Sequence, residues 1–183
     1  MLFTIALAAA GASRRSAAAT KSESPVVISL PSPDNPLVAV RLLFRVGAAD
    51  DPKGKEGLAA LTAFMLGEAG TKRRTWAQVL DALYPMATDI NVYGDKDAFV
   101  FEGVVHRDNL AAYADILAEQ ILTPRFAKED FTRHKQDALD FIGKHLRGND
   151  DEALGKQALA SLMFAKHAYG HPSLGTMAGL KAI

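Results

Sequence analysis

The spacing of hydrophobic and polar positions changes several times along the chain, and each change marks an expected element. The β-branched run "PVVISLP" lies between prolines, and "PLVAVRLLFRVG" follows the turn-forming "SPDN". The two runs read as strands in a hairpin or in neighbouring positions. "AADDPKGKEG" is a polar loop closing at Gly57, after which Leu58, Leu61, Met65 and Ala69 recur at three- and four-residue steps. That spacing predicts a helix ending near Gly67 or Gly70. A second helix opens at Thr75, where Gln78 three residues later completes a capping box, and runs through Trp76, Val79, Leu80 and Leu83 to Tyr84.

"TDINVYGDKDAFVFEGVV" alternates and breaks at Gly94-Asp95, which predicts two antiparallel strands joined by a turn. Helical spacing returns at Leu110, Tyr113, Leu117 and Ile121, and Pro124 ends that segment. Two longer helices are expected over residues 128–146 and 150–166. The order strands, helices, strands, helices predicts an α+β fold in which helices pack on one face of a mostly antiparallel sheet.

Composition narrows the functional classes. With 49% hydrophobic and 23% charged residues, the 183-residue chain belongs with globular proteins that bury a sizeable core. Its 21 basic and 21 acidic residues cancel, so the whole chain offers no electrostatic support to a nucleic-acid partner. The absence of cysteine removes disulfides, thiolate metal sites and thiol nucleophiles together. "MLFTIALAAAGAS" has the length and small-residue ending of a secretory signal, although no basic residue precedes Leu2. It is too short for a stop-transfer span, so no stable membrane insertion is expected. We expect a signal-like segment and linker over residues 1–24, one domain over 25–183, and a periplasmic or secreted location.

Candidate chemistry is sparse. His134 and His145 share a helix face but stand about 16 Å apart, too far to share an ion, and both are expected on the solvated surface. His167 and His171 flank "AYG" before Pro172, which reads as a turn, and His106 reads as a strand-end or cap residue. No G-x-S-x-G, Walker loop or Rossmann glycine fingerprint is present. The pair at Asp150 and Asp151 suits a helix N-terminus.

The ordered series carries a resemblance. "LLFRVGAADDPKGKEGLAALTAFMLGEAGTKRRT" resembles the opening of the pitrilysin/insulinase family of zinc metallopeptidases, usually strand, acidic loop and "GLAHxxEHMxFxGT". "LYPMATDINVYGDKDAFVFEGVVHRDNLAAYADILAEQILTPRF" and "FAKHAYGHPSLGT" are similar to later family segments in the same order. In that family the two histidines of H-x-x-E-H bind zinc while the glutamate activates water. Laid residue by residue, the first histidine matches Ala60, the glutamate Ala63 and the second histidine Phe64. The third ligand matches Phe141, or Asp140 in the neighbouring register.

The resemblance therefore implies a non-catalytic member without zinc of its own, in which Phe141 would pack where the ion sits in relatives. It implies a partner or scaffold subunit that pairs with a catalytic, zinc-bearing H-x-x-E-H homologue to enclose a peptide-degrading chamber. It also implies that Asn91, Val92 and Tyr93 form an edge strand offered to extended peptides. Family members continue beyond "SLGTMAGLKAI", so the chain reads as truncated. Two other readings stand beside this one: a metallopeptidase using unrecognised ligands such as His134 or His167, and a standalone peptide-binding module.

Overall fold

The computed structural model describes residues 25–183, so the signal-like segment lies outside the described residues. The central strand is β3 (Phe99–His106), which buries Phe99, Phe101, Gly103 and Val105 on one face. It pairs antiparallel with β1 (Leu37–Phe44) on one side and with β2 (Asn91–Gly94) on the other, giving the order β1-β3-β2. Val40 lies opposite Gly103, Phe44 opposite Phe99 and Val92 opposite Phe101, so these side chains share the core face. The expected turn between β2 and β3 forms at Asp95.

The run at 25–31 does not form the expected strand: residues 25–32 are neither helix nor strand, and Val26, Val27, Ile28 and Leu30 are exposed. Its apolar residues fall on both parities, which leaves no single face to bury, and the flanking prolines withhold ladder donors. The ladder position beside β1 goes to β3.

Helix α1 (Leu58–Gly67) contains only apolar residues besides Thr62, and it buries Ala60, Leu61, Ala63, Met65 and Gly67. Ala60 and Ala63 join Val79, Leu83, Ile90, Phe101, Tyr113 and Ile116 in the larger core, whereas Leu61 joins Ala138, Ile142 and Leu180 in a second. The helix thus sits between the sheet and later helices. Gly67 permits the approach to β2, since a Cβ there would fall 1.8 Å from Val92 Cγ2.

The ends of α1 are secured from a distance. Asp51 accepts from the backbone N–H of Gly57 at 2.6 Å and of Ala59 at 2.7 Å, one carboxylate oxygen each. Gly57 has φ 112°, and Gly175, at φ 99°, runs against the backbone of Glu56. There the Thr176 N–H donates to the Glu56 carbonyl, and α7 (Met177–Ala182) brings Leu180 into full burial.

The remaining helices follow the expected spacing. Helix α2 (Trp76–Leu83) begins with the reciprocal Thr75–Gln78 capping box. Helix α3 (Leu110–Leu122) ends two residues before Pro124 and buries Tyr113, whose hydroxyl donates to the Asp89 carbonyl at 3.3 Å. Burial pushes that phenol up to about 12.

The expected helix over 128–146 is α4 (Lys128–Asp140) continued by a π-helical segment (Phe141–Leu146), and α5 (Arg147–Asn149) follows. Helix α6 (Asp151–Met163) is capped by Asp150, which accepts from Ala153 N–H at 2.9 Å. Among the described residues, no helix is long and apolar enough to cross a membrane.

Substitutions at three glycines separate strain from contact. Gly54→Ala, at φ 81° with nothing nearby, is expected to cost about 1–2 kcal/mol from the left-handed backbone alone. Gly57→Ala and Gly175→Ala add a Cβ 2.7 Å from Leu180 Cδ2 and 2.3 Å from the Glu56 carbonyl oxygen, respectively. Both should lower stability clearly more than Gly54→Ala in urea unfolding; equal losses would show that the close approach is not constraining.

Candidate functional site

No residue of α1 carries an imidazole, carboxylate or thiol. Ala60 and Ala63 are 4% and 3% exposed, and half-buried Phe64 packs against the same core. Zinc needs nitrogen, oxygen or sulfur donors, and this helix offers methyl groups and a phenyl ring. Among the described residues, no three His, Cys, Asp or Glu side chains come together as a metal-holding group. The residues present do not fit a zinc ion.

Phe64 instead stacks on His134 of α4, with ring centroids 5.9 Å apart and planes inclined by 18°. His134 is 4% exposed, contrary to the solvated position expected from its distance to His145. A different spacing explains it: His134, Ala138, Ile142 and Leu146 recur every four residues, and all four are buried. At the C-terminal end of α1, the Glu68 carbonyl lies 3.1 Å from His134 Nε2 and 3.0 Å from Arg133 Nη2. Arg133 Nη2 also lies 3.1 Å from His134 Nε2, so the ring tautomer decides whether that nitrogen donates to the carbonyl or accepts from the guanidinium.

Phe141 does not pack in the interior as expected. It is 43% exposed, and its ring lies beside His145, with centroids 5.1 Å apart. The π-helical segment begins there and buries Ile142 and Leu146, which leaves Phe141 on the outer side. Asp140 pairs with Lys144 at 3.1 Å. The other histidines lie apart from α1: the His106 ring at the end of β3 accepts from Asp108 N–H, and the His167 ring accepts from Tyr169 N–H in a turn.

The β2 segment has a clear geometry. Among the described strands it is paired on one side only, which makes it an edge. Val92 faces the core, whereas Asn91 and Tyr93 lie on the opposite face with Glu102 and Val100. There the Tyr93 hydroxyl donates to Glu102 Oε2 at 2.9 Å, and Arg41 Nε donates to the same oxygen at 2.8 Å. The hydrogen bonds from Arg41 and Tyr93 hold the Glu102 carboxyl below its ordinary range. An open cleft of about 950 Å³ on this face is lined by Arg41, Asp89, Asn91 and Glu102.

The turn after β2 is fixed residue by residue. Asp95 accepts from Ser173 Oγ at 2.7 Å, Lys96 Nζ donates to the His171 carbonyl, and Asp97 accepts from the Tyr169 hydroxyl at 2.5 Å. Burial lowers the Lys96 ammonium from its ordinary range, and Asp95 and Asp51 oppose that shift. Sequence spacing gave no sign of this pairing, since its partners are more than 70 residues apart.

Comparison with known families agrees with this architecture. The insulinase model, peptidase family M16, matches residues 26–177. The chain belongs to the M16 family.

An uncharacterized zinc protease of Rickettsia bellii is 28% identical over 139 residues, covering 76% of this chain and 33% of that protein. One from Mycobacterium leprae is also 28% identical over 139 residues, covering 75% and 30%. The chain thus spans about a third of the length of these relatives.

Among solved structures, an M16 inactive domain from Pseudomonas fluorescens superposes with TM-score 0.69 at 24% identity, over 81% of this chain and 38% of that one. The periplasmic protease PqqL of Escherichia coli gives 0.69 at 18%, over 81% and 17%. These similarities establish the shared fold.

Placing an H-x-x-E-H pattern on α1 should not create a metal site. The triple variant Ala60→His, Ala63→Glu, Phe64→His inserts large polar groups into a packed core and is expected to lose about 3 kcal/mol or more. It should also take up no stoichiometric zinc by metal analysis; a stable, zinc-loaded variant would refute this packing account.

A second prediction concerns pH. The lowered Glu102 contributes stability that is present above its unfolded value and lost as pH falls through its folded value. Glu102→Gln should therefore flatten the acid limb of the stability curve below the ordinary glutamate range. An unchanged limb would exclude the contribution.

Proposed function

We propose that this domain is a non-catalytic M16 member, in which Ala60, Ala63, Phe64 and the outward-facing Phe141 occupy the sequence positions of the metal site in catalytic relatives. The observation carrying the proposal is the burial of Ala60 and Ala63 within an α1 that carries no imidazole, carboxylate or thiol. Its role is that of a partner or scaffold subunit beside a homologue carrying H-x-x-E-H, which supplies the zinc and the hydrolytic water. Together the two subunits enclose a peptide-degrading chamber. The P. fluorescens relative described as an inactive M16 domain supports such a division of labour. PqqL, a periplasmic protease of the same fold, supports a location in the periplasm or outside the cell.

In this reading an extended peptide adds to the open edge of β2 at Asn91, Val92 and Tyr93. Main-chain hydrogen bonds supply affinity with little demand on sequence. The Arg41–Glu102–Tyr93 network stiffens the strand from the opposite face by tying it to β3 and β1.

Metal content and peptidase activity, measured on the purified chain alone and after mixing with the homologue, test the proposal. The chain alone is expected to show neither zinc nor cleavage, and the mixture is expected to exceed the homologue's own activity. Zinc-dependent cleavage by the isolated chain would overturn the non-catalytic assignment. Binding of a fluorescent extended peptide should survive scrambling of its sequence and fail on backbone N-methylation. Insensitivity to N-methylation would remove the edge-strand role. Peptide capture without any effect on the homologue would instead assign a standalone peptide-binding module.

A further inference from the structure

Helix α6 carries its larger apolar side chains away from the domain. Its inner side consists of half-buried Ala153, Leu154, Gln157, Ala160 and Ser161. Its outer side exposes Leu159, Leu162 and Met163 at 58%, 78% and 68%. Gly155, Ala158 and Leu162 step by three and four residues, with Leu159 and Met163 beside them, which forms one stripe by which a helix can pack on another.

We propose that α6 is a self-association surface, and that its occupant is α6 of a second copy lying antiparallel across a two-fold axis. Charge fixes the direction. Asp151 begins the helix, Glu152 is paired with Lys156 one turn on at 2.5 Å, and Lys166 lies just beyond the helix end. A parallel pair would set acid against acid, whereas an antiparallel pair sets each acidic start against a basic end and also opposes the helix dipoles.

Size agrees with the same arrangement. With the axis between residues 158 and 159, Asp151 faces the partner's Lys166, Gly155 faces the partner's Leu162, and Ala158 faces the partner's Leu159. Large side chains thus meet small ones in both halves of a single seam. This self-complementarity about one midpoint is what an isologous interface requires. One helix face is small beside a standard interface, so the dimer is weak and concentration-dependent.

Sedimentation velocity on the whole chain, from about 1 to 500 µM, tests this. The dimer fraction should rise with concentration and vanish in Leu162→Glu, with the thermal midpoint unchanged because that side chain points outward. Lys166→Glu should weaken association about tenfold at low salt, and adding Asp151→Lys to it should restore most of the loss.

The cysteine-free chain permits a direct geometric check. Ala158→Cys should form a disulfide-linked dimer on oxidation, whereas Ala112→Cys, on the exposed side of α3, should not. A monomer throughout the range, or a dimer indifferent to Leu162→Glu, would overturn the proposal. So would a Leu162-dependent complex with the catalytic homologue and no self-association.

Discussion

A helix that buries nearly its whole circumference must have its ends satisfied by groups outside itself, and α1 is built around that constraint. Its unpaired N-terminal amides meet the Asp51 carboxylate, and the Glu68 carbonyl at its other end accepts from Arg133 beside the His134 ring. Between these anchors it presents carbon to both cores. The sheet, α3 and α4 can close around α1 because nothing along its length needs water. The Phe64–His134 stack belongs to the same solution, joining α1 to α4 by ring contact next to the Arg133–Glu68 hydrogen bond.

The opposite face of the sheet is organised differently. Polar residues span three strands there: Arg41 on β1, Glu102 on β3 and Tyr93 on β2. The arrangement leaves Val92 free to serve the core while its neighbours stiffen the edge. One short strand therefore faces two environments, and its alternation lets a packed interior coexist with an accessible margin.

Much of this order was legible in the sequence because it rests on local periodicity. The Thr75–Gln78 box, the break at Gly94-Asp95, the stop before Pro124 and the cap at Asp150 all act within a few residues, and each was readable. The run at Val26–Ile28 misled because β propensity says nothing about whether a ladder position is open. His134 is buried for another reason: its place on the stripe with Ala138 and Ile142 decides its burial, which its distance to His145 does not reveal. Phe141 was sent outward where the helix became π-helical, a change invisible in the apolar spacing. The long-range ties, Asp51 to α1 and residues 95–97 to 169–173, leave no trace in any short window.

Those ties bear on the order in which the chain can fold. The β2–β3 hairpin can form soon after residue 106 leaves a ribosome, but its turn lacks side-chain anchors until Tyr169, His171 and Ser173 follow. The N-terminal end of α1 likewise waits for Gly175 and Leu180. Apolar α1 must therefore remain incompletely covered until residues 175–180 have followed, because contacts of such sequence separation come late. During vectorial synthesis the emptiest helix chemically is also the one that most needs shelter from premature association.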